Sequence, residues 1–184
     1  MLFLAGVVAA YAINDSAFLI ACIVSALMIL YSAVMQNHKY IGNVVVAAGT
    51  GLTIIFGASI VGNYLWAGVF AFSAFLANIG RELTKDLEDM GADKGIKRTL
   101  PMLLGFEWIR RIVFNVYAIA TIAAGTAWTS GIVKGAYFIV LLLAAAVVFF
   151  MAWEKLLEKD FRASQRYSKY GMVGSLLAFI SVVF

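Results

Sequence analysis

The sequence predicts an all-α protein, a polytopic transmembrane helical bundle, and three observations carry that expectation. Of the 184 residues, 64% are hydrophobic and 13% charged, whereas a soluble domain holds roughly 45–50% apolar and about 25% charged residues. A folded protein of about 150 residues buries only about 70% of its chain surface, so the hydrocarbon of a bilayer has to solvate most of this chain. The apolar residues come in continuous runs without period-2 alternation, which suits helices and excludes a transmembrane β-barrel. The basic residues fall in every second connection between those runs.

A helical span needs about 20 mostly apolar residues. The runs lie at 2–13, 17–35, 42–61, 64–80, 112–128, 132–152 and 171–184, about seven segments in one domain, 1–184. The first run is too short for a complete span and no basic stretch precedes it, as a signal peptide requires; a truncated start is the expectation. Of the 14 basic residues, all but Lys134 lie in 36–41, 81–111 and 153–170. The positive-inside rule puts those three stretches in the cytoplasm and Phe184 outside. Trp66, Trp128 and Trp153 fall near span ends, where interface anchors are expected. Ala47 with Gly51, and Ala58 with Gly62, are spaced to let helices approach closely.

Several functions are excluded at this level. Cys22 is the one cysteine, so there is no disulfide framework and no thiolate zinc site. A single histidine, His38, cannot build a His-based metal centre. The net charge of +4 reports cytoplasmic loops, and no nucleic-acid partner is expected.

The densest chemistry follows the fourth run. Half of the ten acidic residues lie within 82–93: Glu82, Asp86, Glu88, Asp89 and Asp93. At roughly 100° per residue, Asn78, Glu82, Asp86, Asp89 and Asp93 share a sector of about 80° on a helix, and Glu88 points to the opposite side. Like charges on one stripe repel, so the stripe calls for a compensating cation. Oxygen ligands without His or Cys suit Mg²⁺, which keeps several waters and bridges carboxylates to phosphates. Lys94, Lys97 and Arg98 come next, with charge suited to a phosphate-rich ligand. Together they read as a diphosphate site. The alternative is a solvated cytoplasmic loop whose mixed charges keep it wet.

The stretch from Arg81 to Pro101 resembles the second aspartate-rich motif of the UbiA superfamily of intramembrane prenyltransferases. The matching residues are Asp86, Asp89 and Asp93, then KGIKRTLP at 94–101. Asn78-Ile-Gly-Arg-Glu82, YSAVMQNHKYIGN at 31–43 and RYSKYGMVGSLLAF at 166–179 are similar to its archaeal lipid-synthesising branch, the digeranylgeranylglyceryl phosphate synthases. The resemblance implies a fold of nine transmembrane helices around a cavity open to the cytoplasm and to lipid, with the seven runs as helices three to nine. The family's first acidic motif is absent: Asn14-Asp15 begins like it but is followed by no further Asp before a span. Gln36 and Asn37 also stand where relatives tend to carry lysines, and the segment from Asp93 to Thr99 is about one residue short of the family's usual spacing.

The resemblance implies transfer of a geranylgeranyl group from its diphosphate to geranylgeranylglyceryl phosphate, a lipid acceptor, at the membrane. Mg²⁺ held by Asp86, Asp89 and Asp93 would neutralise the departing diphosphate. Lys94, Lys97 and Arg98 would contact its oxygens, and Asn78 and Arg81 would orient the phosphates or Asp86. Tyr31 is read as a buried span-end residue. With one acidic motif where the family uses two, the chain alone is expected to be inactive or nearly so. An aromatic acceptor such as 4-hydroxybenzoate, a transporter or channel, and a non-catalytic membrane protein stay open as alternatives.

Overall fold

The computed structural model describes residues 2–33, 39–92 and 98–181. These residues form eight helices and no strand: α1 (Leu2–Tyr11), α2 (Asp15–Ala33), α3 (Lys39–Val61), α4 (Tyr64–Asp89), α5 (Leu100–Leu104), α6 (Phe106–Thr129), α7 (Ala136–Leu157) and α8 (Phe161–Ile180). Four of them, α2, α3, α6 and α7, are long and apolar enough to cross a membrane. The chain is a multi-pass helical bundle.

Two apolar runs understate their helices more than the others do. The run at 64–80 belongs to α4, which continues through its charged turns to Asp89, and the run at 171–184 belongs to α8, which begins at Phe161. Hydropathy reports the solvent a residue prefers, not whether its backbone is helical. The polar start of α8 is set by its cap: Asp160 accepts a hydrogen bond from Ala163 N at 3.0 Å, satisfying a free amide of the first turn. Asn63 does the same for α4 through Trp66 N. The short α5 has no counterpart among the runs; Pro101 sits in its first turn behind an extended Thr99, as the fixed φ of proline favours.

The helix α4 is the centre of the bundle, packed against α3, α6 and α8, while α7 joins α6 to α8 and α2 lies on the outer side of α3. Twelve of the 26 residues of α4 are buried, against one, Ala17, in α2. After a turn at Gly62, whose φ is 80°, the helix α4 returns antiparallel along α3. The expected close approach at Ala47 and Gly51 is present: a Cβ on Gly51 would stand 3.0 Å from the Ala71 carbonyl oxygen. The second small pair needs correction, since nothing lies within 4 Å of a Cβ on Gly62; that glycine serves the left-handed turn.

Trp153 and Asn14 also make contacts between helices. Trp153 is a clamp between helices, its Nε1 donating to the Arg110 carbonyl at 3.2 Å. Asn14 caps α2 by accepting from Ala17 N at 2.8 Å, and its amide donates to the Ser59 carbonyl at 2.9 Å, so it ties the α1–α2 turn to the end of α3. Both roles are structural.

Candidate functional site

Near its C-terminal end α4 presents two polar faces with different partners. On the side toward α3, Asn78, Glu82 and Asp86 are all buried. Asn78 Nδ2 donates to Thr50 Oγ1 at 2.8 Å. Two turns further along α4, Asn43 Nδ2 donates to Asp86 Oδ2 at 2.7 Å. Arg81 extends one Nη1 to Glu82 Oε1 at 2.6 Å and to Asn78 Oδ1 at 3.4 Å, while its Nε is buried without a partner among the described residues. The other face carries Glu88, which accepts from Arg162 Nε at 3.1 Å and from Gln165 Nε2 on α8.

Beside the α3–α4 seam lies a cavity of about 640 Å³, within the roughly 300–1,000 Å³ usual for small-molecule pockets. Its walls come from α2, α3, α4, α6, α7 and α8, and Thr50 and Ala77 bring it to the level of Asn78. The hydroxyl residues of its wall are turned inward on themselves. Thr50, Thr53, Ser73, Thr121 and Ser175 each donate to the carbonyl four residues earlier, a local bond that spends the hydroxyl donor on the helix backbone. What they add to the chamber is mostly carbon. The chamber is apolar, and at Thr50 its wall meets Asn78 of the polar α4 face.

Of the residues singled out in sequence, Asn78, Arg81 and Asp86 come together here, with Asp89 half-buried one turn on. Asp93, Lys94 and Lys97 lie outside the described residues, as do Gln36, Asn37 and His38. Arg98 is exposed just before the fully buried Thr99. Sequence reasoning gave no role to Asn43 or Thr50, whereas it placed Glu82 on the acidic stripe. A signal for the first two was available: they are polar residues in an apolar run, seven apart and therefore on one face of a helix.

The donor chemistry fits a hard divalent cation only in part. No three acidic, histidine or cysteine side chains form a metal-holding group among the described residues. Magnesium, however, is ordinarily bound through one or two carboxylates together with substrate phosphates, and Asp86 and Asp89 are of that kind.

A model of the UbiA prenyltransferase family matches residues 1–181. The chain belongs to the UbiA prenyltransferase family. Members of this family are prenyltransferases that generally depend on a divalent metal. The chain is 36% identical over 183 residues to the digeranylgeranylglyceryl phosphate synthase of Thermococcus kodakarensis, covering 98% of this chain and 65% of that protein. It is 35% identical over 173 residues to the enzyme of the same name from Thermococcus sibiricus, covering 94% of this chain and 61% of that one. The chain thus spans 61–65% of the length of these two relatives. A solved structure concerned with digeranylgeranylglyceryl phosphate synthase in membranes matches with a TM-score of 0.84 and 27% identity, over 98% of this chain and 66% of the other.

Proposed function

We propose that this chain carries the diphosphate-binding half of an intramembrane prenyltransferase that moves a geranylgeranyl group from its diphosphate to geranylgeranylglyceryl phosphate. The observation that carries the proposal is the join between a buried carboxylate face on α4 and an apolar chamber, made at Thr50 and Asn78. A ligand with a charged head and a hydrocarbon tail matches that join.

In this reading Asp86 and Asp89, with Asp93, would hold Mg²⁺, which would supply positive charge to offset the charge of the departing diphosphate. The remaining work belongs to the chain itself. Arg81 Nε, buried without a partner, is a charge-assisted donor for a diphosphate oxygen, and Lys94, Lys97 and Arg98 add positive charge beyond the end of α4. Asn78 holds the Arg81 guanidinium and is itself held by Thr50. The chamber takes the isoprenoid chain, and its carbon-lined wall keeps water from capturing the allylic cation. The positive-inside pattern supports a cytoplasmic position for the charged end of the site.

The test is binding of a fluorescent geranylgeranyl diphosphate analogue, with Mg²⁺, to the chain in lipid nanodiscs. Saturable binding is expected for the parent, and a loss of at least about tenfold for Asp86→Asn, the range seen when a metal site is disturbed. Equal binding by parent and Asp86→Asn would remove the proposal. Because these residues hold one acidic motif, transfer to the glyceryl lipid by the chain alone is expected to be absent or nearly so. Robust turnover abolished by Asp89→Ala would show that one motif suffices.

A further inference from the structure

We propose that a cluster of three rings, Phe70 of α4, Phe138 of α7 and Phe179 of α8, is the floor of the chamber and sets the longest isoprenoid chain it accepts; this rests on the reading of the chamber as the seat of the prenyl diphosphate's tail. The wall and the far end of the chamber are built from different residues. Where α4 and α6 form the wall the lining is small: Ser73, Ala74 and Ala77 from one, Ala120, Thr121 and Ala124 from the other. Short side chains there leave room that a close-packed interior would otherwise fill. The far end is aromatic. Phe70 lies one turn beyond Ser73 on the side away from Asn78, and Phe179 packs on it. The Phe138 ring is 5.8 Å from Phe179 and 6.4 Å from Phe70 between centroids.

Of the three rings only Phe179 lines the chamber. Phe70 and Phe138, each 1% exposed, stand behind it, with Ala127 and Val133 packed into the same cluster. The loop after α6 closes over that end through the bond from Val133 N to the Ala127 carbonyl at 2.8 Å. Asn78 and Phe70 are eight residues apart on α4, more than two turns, so the polar contact and the rings mark opposite ends of one space. A side route is the competing account. A second cavity of about 320 Å³ between α1, α2 and α3 adjoins the chamber at Val24 and Thr53. Thr53 is only one turn from Thr50, so a tail turning there would leave most of the chamber unfilled and forfeit its contacts.

Chain length separates the two routes. Farnesyl, geranylgeranyl and geranylfarnesyl diphosphates, which differ by one isoprene unit each, compete with the fluorescent analogue for the full chain in nanodiscs with Mg²⁺, and Tm is recorded in parallel. The parent is expected to bind geranylfarnesyl diphosphate at least about tenfold more weakly than geranylgeranyl diphosphate, because a closed apolar pocket discriminates by even one methylene. Phe179→Ala, which removes the first ring of the floor, is expected to abolish that difference. Ala124→Leu, which fills the same end from α6, is expected to move the optimum down to farnesyl diphosphate, and it keeps the floor testable should Phe179→Ala fail to fold. Ala21→Phe, which fills only the second cavity, is expected to keep the parent's ranking. If the folded floor variants keep the parent's ranking, or if Ala21→Phe changes it, the tail passes to the side and the floor is overturned. If none of the three diphosphates binds the parent, the proposed function itself fails, a result distinct from binding without a length preference, which overturns the floor alone.

Discussion

Gly80 is where α4 meets the aromatic pair that holds the other helices together. A Cβ there would collide with the Tyr117 ring of α6, with Cζ at 2.8 Å. That ring stacks on Phe149 of α7 at 4.8 Å between centroids, and Phe149 in turn lies over Gly171 of α8. The Tyr117 hydroxyl is 2.7 Å from Ser168 Oγ, and Ser168 Oγ donates to the Ser164 carbonyl. The serine's one proton is thereby committed, so the tyrosine is the donor. Gly80→Ala is expected to destabilise the bundle by about 1–3 kcal/mol through overpacking. Tyr117→Phe leaves the serine proton satisfied and is expected to cost less, about 0.5–1.5 kcal/mol. Thermal unfolding in detergent ranks the two, and a Gly80→Ala variant as stable as the parent would show that the ring has room to move. None of this was legible beforehand, because a glycine opposite an aromatic is a fact of tertiary approach. Asn43 and Thr50 were hidden for a different reason: their spacing was visible, but nothing local identifies the partner across the seam.

At the scale of one element, α4 separates two kinds of acidic residue by face. Helical periodicity read from the residues groups Asn78, Glu82 and Asp86 and sets Glu88 apart, and the contacts follow that division, toward α3 on one side and toward α8 on the other. Periodicity served well here because the helix runs unbroken to Asp89. The ends of the helices were less legible, since α4 and α8 extend into charged residues that an apolar run leaves out. The division has a measurable consequence. Arg162 is 86% exposed on its side chain and Glu88 29%, so their bond is a surface ion pair worth about 0–1 kcal/mol. Glu88→Gln is expected to lower Tm slightly and to leave binding of the geranylgeranyl diphosphate analogue at the parent's value. A loss as large as that of Asp86→Asn would mean that the two faces act on one ligand.

For the molecule as a whole, the packing sorts the charged loops to one end. Arg162 of α8 meets Glu88 at the end of α4, Trp153 of α7 meets Arg110 near the start of α6, and Lys159 lies 5.6 Å from the Phe106 ring. At the opposite end Asn14 meets Ser59, and the loop after α6 folds back through Val133 N to the Ala127 carbonyl; Lys134 is the next residue. This sidedness was legible in the sequence because charge alternates with the number of membrane crossings, so a single missed span would have scrambled it. The chamber was not legible, as its wall draws on six helices whose mutual approach no local pattern encodes. Sidedness within the bundle becomes orientation in the cell through the positive-inside rule, which predicts that the Arg162 end faces the cytoplasm and Lys134 the exterior. Cys22 is the one native thiol, so a Cys22→Ala background permits single-cysteine mapping. With a membrane-impermeant maleimide, Lys134→Cys is expected to label in intact cells. Arg162→Cys is expected to label only after lysis, since its side chain is open to water but on the other side. Because the carboxylate face and the Arg162 end share one end of α4, the reverse pattern would move the proposed diphosphate site to the outer surface and count against the proposed function.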